Sequence, residues 1–286
     1  MTNDNRGVLY LVGTPIGNLE DMTFRAIRIL KEVELIAAED TRNSIKLLNH
    51  FDIKTPMTSY HEYNRIEKAH ELADQIINGK TVALITDAGM PAISDPGEDL
   101  VRICRERGID VFVVPGPSAV VSALALSGLN TRRFAFEGFL PREKAQRKRV
   151  LEALKNETRT VILYEAPHHL KGTLSDLCGA LGDRRVSIVK EITKKHERVL
   201  TLTLPEAEGY YSENDPRGES VLVVEGRSME QLDKEAQESW QSISVSEHVE
   251  MYMKEGLDKK DAMKRAAKDR GVSKREIYDK ILHEML

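Results

Sequence analysis

The sequence has little of several features that would place a protein in a class at once. Its two cysteines, Cys104 and Cys178, have no CxxC spacing, which excludes a disulfide framework and suits a reducing compartment. No apolar run approaches the roughly 18–20 residues of a membrane span, and the start, MTNDNRG, lacks the apolar stretch of a secretory signal. The net charge of −4 excludes a generally basic nucleic-acid-binding chain, but not a local basic patch. We therefore predict a soluble, cytoplasmic protein.

Common phosphate-binding and metal-binding signatures are also absent. Gly13–Gly17 does not have the GxGxxG spacing, and no GxxxxGK[ST] occurs, which argues against a loop that cradles a nucleoside triphosphate. The eight histidines are scattered without metal-ligand spacing, so we predict no structural metal.

What is present is a regular alternation of short apolar runs and helical patterns in the first 120 of the 286 residues. The predicted strands are Val8–Val12, Leu35–Ala38, Thr81–Ile85 and Val111–Val114. The predicted helices are Met22–Lys31, Arg42–Phe51, Ile66–Ile77 and Glu98–Arg107. This alternation favours right-handed βαβ units and a parallel sheet, and the uninterrupted apolar strands indicate helices on both of its faces.

The pattern changes after about residue 130. Five further strands are predicted, at Phe134–Phe136, Thr160–Tyr164, Val186–Val189, Val199–Leu204 and Ser220–Val224. Two helices are predicted among them, Lys144–Leu154 and His169–Leu181. Turn residues between the last three strands indicate antiparallel pairing, and hence a second α/β region with a mixed sheet.

From about Ser228 the chain becomes polar and helical. Gly256 and Gly271 separate helix-length stretches, and Ser273 has the position of an N-cap. This segment resembles a small helix-turn-helix region that serves either RNA docking or packing. The predicted fold class is therefore α/β with two α/β domains and a helical C-terminal extension, with boundaries at 1–120, 121–228 and 229–286.

The segments that follow three strands of the first region are rich in residues that favour turns. They are Gly13–Asn18, TDAGMPAISDPG at 86–97, and Pro115–Ala119. Ligands of an open parallel sheet bind beyond the carboxyl ends of its strands. Glycines let a ligand approach the backbone and prolines hold a loop rigid, so we predict a preformed pocket rather than three ordinary tight turns. Asp87 and Asp95 could accept hydrogen bonds from ribose hydroxyls or an amine, which suits a nucleoside-like cofactor.

Seven motifs occur in one order: GTPIGN near the start, AEDTR at 38–42, SYHEYN at 59–64, DAGMPAISDPG at 87–97, VPGPSA at 114–119, YEAPHH at 164–169 and EITKKHE at 191–197. Together they resemble the tetrapyrrole-methylase superfamily of S-adenosylmethionine-dependent methyltransferases. The match is to its members that 2′-O-methylate a cytidine of 16S rRNA in the small ribosomal subunit. A tetrapyrrole methyltransferase and a nucleotide-binding or RNA-binding protein without catalysis remain alternatives.

The resemblance implies two α/β domains with S-adenosyl-L-methionine in the cleft between them, and a homodimer. It also implies a set of cofactor contacts. These are Pro15, Asp87, Ala88, Gly89, Ile93, Ser94, Ser118, Ala119, Glu165, Ala166 and Pro167. The chain departs from the family at His169, where an arginine is usual, so any phosphate contact of that arginine is weaker here or comes from elsewhere.

Methyl transfer to a ribose hydroxyl needs positioning and benefits from a general base or a cation near the developing alkoxide. We predict Lys190 and Glu191 near the reacting hydroxyl, with Asp40 as a further catalytic candidate that orients RNA together with Arg42. Asp40 could instead be only an N-cap. The predicted RNA contacts are Arg42, His61, Arg142, Lys144, Arg147, Lys194 and His196. The alternative for His61 is a loop histidine hydrogen-bonded to the backbone, and the alternative for the others is a solvated surface position.

Overall fold

The computed structural model describes residues 7–284. The chain divides into two compact units, the first extending to Leu151 and including Thr160–Glu225, the second comprising Glu152–Arg159 and the chain from Gly226 on. The first six residues, where we expected no signal segment, lie outside the described part. Within residues 7–284, no helix is long and apolar enough to cross a membrane.

The first unit begins with a five-stranded parallel sheet in the order β3-β2-β4-β1-β5. Its strands are β1 (Leu9–Val12), β2 (Leu35–Ala38), β3 (Met57–Ser59), β4 (Val82–Ile85) and β5 (Val111–Val114). The helices that connect these strands are α1 (Phe24–Glu32), α2 (Thr41–His50), α3 (Arg65–Ile77) and α4 (Glu98–Glu106). The predicted parallel sheet is confirmed, with β3 as a strand that the sequence analysis did not predict.

Helices cover both faces of this sheet, as the apolar strands indicated. Leu72 of α3 and Leu100 of α4 pack in one hydrophobic cluster, and Leu30 of α1 and Leu48 of α2 pack in the other. Every residue of the central strands β2 and β4 is buried. Because side chains alternate across a strand, only a sheet sandwiched between two helix layers buries all of them.

The second sheet is mixed, with the order β6-β7-β10-β8-β9. Its strands are β6 (Phe134–Phe139), β7 (Thr160–Glu165), β8 (Arg185–Lys190), β9 (Arg198–Thr203) and β10 (Ser220–Val224). The helices of this part are α5 (Ala119–Leu126), α6 (Lys144–Leu154), α7 (Pro167–Leu181) and α8 (Leu204–Glu213). β6 and β7 run parallel, and the other neighbours are antiparallel. The predicted antiparallel pairing of the last three strands is present, but β9 and β10 are not neighbours and each pairs with β8.

The expectation of two helices among these strands was wrong, because α8 is a third, and α5, before β6, is a helix that the sequence analysis did not predict. α8 follows β9 directly and begins with a capping box between Thr203 and Glu206. Its sequence, LPEAEGYYSE, has little apolar periodicity and contains a glycine, so the pattern gives no helical signal. α8 also separates β9 from β10, which pairs with β7 and β8 instead.

In the second unit, the helices α9 (Met229–Ser239), α10 (Val245–Lys254), α11 (Lys259–Asp269) and α12 (Lys274–Glu284) follow one another. Val249, Ala266 and Ile277 belong to one apolar core formed by α10, α11 and α12. The predicted breaks fall at Gly256 and Gly271, both with positive φ, and Ser273 accepts a hydrogen bond from the Glu276 amide as the predicted N-cap. Both sheets belong to the first unit, and a boundary at residue 120 stays a prediction.

Candidate functional site

The loops after β1 and β4 are joined to each other through their backbones. The Thr14 amide donates to the Gly89 carbonyl at 2.9 Å, and the Gly89 amide donates to the Thr14 carbonyl at 3.1 Å. The Thr14 hydroxyl, fully buried, donates to the Thr86 carbonyl at 3.0 Å. A buried side chain and two reciprocal backbone bonds therefore fix the relative position of the first two loops.

The loops after β1 and β5 meet at two glycines. A Cβ on Gly13 would lie 2.7 Å from the Gly116 Cα, and a Cβ on Gly116 would lie 2.9 Å from the Gly13 Cα. Any larger residue at either position would have to push the backbones apart. The glycines that the sequence analysis interpreted as ligand-approach positions are thus needed for loop-to-loop contact.

The loop 86–97 turns through positive φ angles at Gly89 and at Ala92, where an alanine adopts φ +65. A Cβ on Gly97 would meet the Cβ of Ala92 at 2.7 Å, so the loop closes on itself there. A non-glycine residue in the left-handed region carries backbone strain, and such strain concentrates at ligand sites.

Polar groups also collect at one end of the second sheet. The register places Ser220 opposite both Glu165 and Lys190, the last residues of β7 and β8. The buried Glu165 carboxylate accepts hydrogen bonds from the Ala166 amide at 2.9 Å and from the Thr173 hydroxyl. Ser220 Oγ is buried and has no hydrogen-bond partner among the described residues.

The turn after β8 holds a second carboxylate in place. Glu191 adopts φ +50, and its Oε1 accepts from Lys194 Nζ at 3.1 Å and from the Glu219 amide at 3.2 Å. A Cβ on Gly17, in the loop after β1, would lie 2.6 Å from the Lys194 Cγ. The Lys194 stem therefore packs against the first loop while its ammonium binds Glu191.

These segments enclose a cavity of about 290 Å³ inside the first unit. Ten of the residues predicted as site residues line it: Ala88, Gly89, Ile93, Ser94, Ser118, Ala119, Glu165, Ala166, Glu191 and Lys194. The sequence analysis did not assign ten others to the site: Ile16, Met90, Asp95, Phe139, Tyr164, Val189, Ile192, Glu219, Ser220 and Val221. The predicted juxtaposition of the loop 86–97, the start of α5 and the end of β7 is thus present in the structure.

Asp95, which the sequence analysis named as a possible hydrogen-bond acceptor, lines the cavity. Burial raises its pKa above the ordinary value of 3.8, and the nearby Glu39 carboxylate raises it further. Glu39 in turn accepts a hydrogen bond from the Thr86 hydroxyl at 2.5 Å. A ligand that brings positive charge next to Asp95 would offset both effects.

Pro15, Asp87 and Pro167 do not line the cavity but adjoin residues that do. The Asp87 carboxylate accepts from Asn43 Nδ2 at 3.0 Å on the exposed surface. Pro167 is the first residue of α7. Their predicted cofactor contacts stay predictions.

Lys190 does not line the cavity, although its neighbours Val189 and Glu191 do. Its Nζ lies 5.6 Å from the centre of the buried Tyr211 ring of α8. Partial burial lowers the pKa of Lys190 from its ordinary value, and Arg198 contributes in the same direction. Side chains alternate across a strand, so the residue after Val189 points to the opposite face of β8.

Asp40 is the N-cap of α2, the alternative that the sequence analysis left open. Its carboxylate accepts from the Arg42 amide at 2.8 Å and from the Arg42 guanidinium at 2.8 and 3.1 Å. These bonds lower the pKa of Asp40 to about 2. The Asp40 carboxylate and the Arg42 guanidinium are therefore both ionised at neutral pH.

The remaining predicted RNA contacts are scattered around the first unit. His196, Arg142 and Lys144 are exposed, and His61 Nδ1 is buried without a partner among the described residues. Arg147 is different, because its guanidinium donates to Asp176 at 2.6 Å and to Thr173 at 2.8 Å. These bonds hold the Arg147 side chain against the protein, where it supports the hydrogen bond between Thr173 and Glu165.

A family model described as Tetrapyrrole (Corrin/Porphyrin) Methylases matches residues 8–208. A protein named Ribosomal RNA small subunit methyltransferase I from Halalkalibacterium halodurans is 52% identical over 281 residues, 98% of this chain and 96% of that relative. One of the same name from Bacillus subtilis is 49% identical, covering 96% of this chain and 93% of the relative. A shorter one from Thermotoga maritima is 47% identical over 221 residues, 99% of its own length but 77% of this chain. The solved structure of a diphthine synthase is 14% identical with a TM-score of 0.61, over 77% of this chain and 90% of that one, and supports the fold alone.

Proposed function

Because the chain belongs to the tetrapyrrole (corrin/porphyrin) methylase family, we propose that it is a methyltransferase of ribosomal RNA, and specifically that it transfers the methyl group of S-adenosyl-L-methionine to the ribose 2′-hydroxyl of a cytidine in 16S rRNA. This proposal rests mainly on the near full-length similarity to proteins named for methylation of small-subunit ribosomal RNA. The substrate lies in ribosomal particles, so the protein acts in the cytoplasm.

The cavity chemistry fits S-adenosyl-L-methionine, which carries positive charge on its sulfonium and its ammonium. The carboxylates of Asp95, Glu165 and Glu191 line one cavity, and Ser220 Oγ has no partner there among the described residues. Apolar lining from Ile93 and Val221 suits an adenine ring. The cofactor is held by these groups together with the predicted contacts in the loop 86–97, at the start of α5 and at the end of β7.

When bound, the cofactor supplies a methyl group that is already activated for displacement, so the protein mainly has to position the acceptor. Glu191, held by Lys194 and the Glu219 amide, accepts the proton of the ribose hydroxyl. The Lys194 ammonium stabilises negative charge that develops on that oxygen. Asp40 keeps Arg42 oriented toward RNA phosphate, and His61, Arg142, Lys144 and His196 contribute further contacts to the RNA.

The cofactor site belongs to the two predicted α/β domains, with boundaries at residues 120 and 228, and the active form is a homodimer. An apolar edge on the first unit supports the dimer. β5 is the edge strand of its sheet, and Phe112 and Val113 are 46% and 51% exposed, with Val121 of α5 52% exposed. An exposed apolar strand edge invites a partner, and a second copy offers the same edge.

The dimer can be tested by replacing Phe112 with aspartate. We expect a shift to monomer in light scattering at micromolar concentration, because a buried unpaired carboxylate would oppose association. The matched control is Phe24→Asp, since Phe24 is 94% exposed and lies on α1. A dimer unchanged by Phe112→Asp, or disrupted equally by both variants, contradicts this edge as the interface.

Methyl transfer is tested with labelled S-adenosyl-L-methionine and small ribosomal subunits from cells that lack the gene. Alkaline digestion should leave the label in a resistant dinucleotide, because a 2′-O-methyl group blocks cleavage at that bond. Label in base-methylated mononucleotides would contradict ribose methylation. No label on subunits or naked rRNA, with label on a porphyrin precursor, would favour the tetrapyrrole alternative.

A further inference from the structure

The second unit carries an open groove between α11 and α12. It is lined by Lys259, Lys260 and Met263 from α11 and by Lys274, Arg275 and Tyr278 from α12. Four of the six lining side chains are cationic, none is acidic, and one is aromatic.

We propose that this groove, which we call the basic groove, binds the phosphate backbone of ribosomal RNA outside the nucleotide that is methylated. The inference rests on the proposed function for the identity of the RNA. It assigns the helical unit a docking role and not a chemical one.

The four cations of the groove have no ion pair within residues 7–284. Some other cations of the same unit are engaged, whereas Lys254, Lys264, Lys268 and Lys280 also have no ion pair among the described residues but do not line the groove. Arg227 pairs with Glu235, and Arg270 donates to His248 Nδ1 at 3.1 Å and to two carbonyls. Unpaired, exposed cations on one surface are the usual footprint of a site for a polyanion.

The charge of this unit is segregated along the sequence. Residues 258–280 contain nine Lys and Arg against five Asp and Glu, a formal charge of +4 in a chain whose net charge is −4. α9 contains four acidic residues and one lysine. α11 has five Lys and Arg against two Asp, a charge of +3, whereas α12 is neutral overall and contributes Lys274 and Arg275 in its first turn.

The positions of the four cations argue against a role in helix stability. Lys259 and Lys260 are the first two residues of α11, and Lys274 and Arg275 are the first two of α12. The helix macrodipole is positive at this end, so it opposes cations and favours acids there. The side chains of Asp258 and Ser273 already cap the two helix starts, and Asp261 and Glu276 lie in the first turns, so an anionic ligand would be attracted by the four cations.

Tyr278 adds an aromatic ring to the groove, a residue type found both in base-stacking sites and in protein interfaces, so the lysines decide between the two. The Tyr278 side chain is 54% exposed beside the cations. Exposed aromatic rings in basic grooves stack on unpaired bases, and this stacking tolerates any sequence. A packing surface for another protein would instead be depleted of lysine at its centre.

The test uses the full chain with Lys259, Lys260, Lys274 and Arg275 all replaced by alanine. The matched control replaces Lys254, Lys264, Lys268 and Lys280, four exposed cations of the same unit, and so removes the same charge. Affinity for a fluorescent 16S rRNA fragment is measured across a salt series, and cofactor affinity is measured by calorimetry. Equal melting temperatures for both variants establish that each is folded.

We expect the groove variant to bind the RNA at least about 10-fold more weakly, with a salt slope shallower by about 3, since each lost phosphate contact removes about 0.7–0.9 of slope. Its cofactor affinity should not change, and its KM for subunits should rise while kcat stays the same. The control should keep most of the affinity.

Two results would overturn the proposal that the basic groove binds RNA. In the first, the groove variant has the same RNA affinity and salt slope as wild type. In the second, the control variant loses as much affinity as the groove variant. The failure of the proposed function would look different. A wild-type chain that methylates no ribosomal RNA, yet binds the fragment through the four groove cations, refutes the methylation while supporting the groove.

Discussion

The cavity of the first unit and the basic groove of the second use charge in opposite ways. In the cavity, Glu191 is bound to Lys194 and Glu165 to Thr173, and the loops are joined by backbone bonds. In the groove, four cations have no ion pair among the described residues and line an open surface. The comparison teaches that a site for a small reactant fixes several of its polar groups internally and leaves others, such as Ser220 Oγ, for the ligand, whereas the docking surface leaves all four cations for the partner.

This contrast predicts that one added side chain can destroy the cavity. Gly13→Val should abolish detectable cofactor binding, because its side chain would collide with the Gly116 backbone 2.7 Å from the Cβ position. Overpacking of this kind costs about 1–3 kcal/mol of folding stability. Calorimetry and thermal melting measure the two effects.

The control for Gly13 is Gly179→Ala, because a Cβ on Gly179 in α7 meets nothing within 4 Å. We expect this change to stabilise the fold by about 0.5–1 kcal/mol and to leave cofactor binding unchanged. Cofactor affinity of Gly13→Val equal to wild type would show that the loops can separate and would refute the rigid cavity.

A second prediction separates the two neighbours at the end of β8. Glu191→Gln should slow single-turnover methyl transfer by about 10²-fold, because it removes the proton acceptor. Lys190→Met should slow transfer much less, since its ammonium lies over Tyr211 and not in the cavity. A larger loss in Lys190→Met would restore the sequence-based prediction of Lys190 as a catalytic group.

A third prediction concerns Asp95, whose pKa is raised by burial and by Glu39. A carboxyl whose folded pKa is raised favours the fold when protonated, so its contribution to stability is lost as pH rises from near 3.8 through the raised value. Asp95→Asn should therefore melt higher than wild type at pH 7 and differ little from it at pH 3.

The same variant should bind S-adenosyl-L-methionine about 10-fold more weakly, since it removes a negative charge from the cavity wall. Asp52→Asn is the matched control, because Asp52 is exposed and its pKa is lowered by Lys54. An Asp95→Asn variant that loses stability at neutral pH would contradict the assigned effect of burial.

The smallest expected effect belongs to the groove. Tyr278→Ala should weaken binding of the rRNA fragment by about 1 kcal/mol, at the lower end for base stacking, while Tyr278→Phe should bind like wild type. The salt slope should not change in either variant, because no phosphate contact is removed. If Phe binds as weakly as Ala, the hydroxyl and not the ring carries the contact.

The fold was predictable where apolar runs end at turn residues. The bounds of β2, β5, β10 and α6 agree with the sequence-based prediction, and most other predicted elements differ by one to three residues. α5 was missed because AVVSALAL is apolar nearly throughout and has no helical period. α8 was missed because its signal is a capping box and not a hydrophobic face.

The site was predictable only in part, for a related reason. Its loops were predicted from their glycines, prolines and acidic residues, because these residue types favour turns through local backbone conformation. Val189, Val221 and Tyr164 were not, because a strand residue faces a cavity or the opposite helix layer according to the register of the whole sheet. Lys190 is an example: Val189 lines the cavity, but Lys190, the next residue of β8, has its ammonium over the ring of Tyr211.

The order of strands and helices, the three turn-rich loops, the helical character of the C-terminal segment and its breaks at glycine were determined by the sequence itself. These features depend on local propensity and on hydrophobic period, which a chain carries before it folds. The tertiary structure decided the rest: that Gly13 meets Gly116, that the Glu219 amide binds Glu191, that Lys190 turns away from the cavity, and that four cations of two helices share one groove. Such pairs join residues far apart in sequence or on opposite faces, and only packing brings them together.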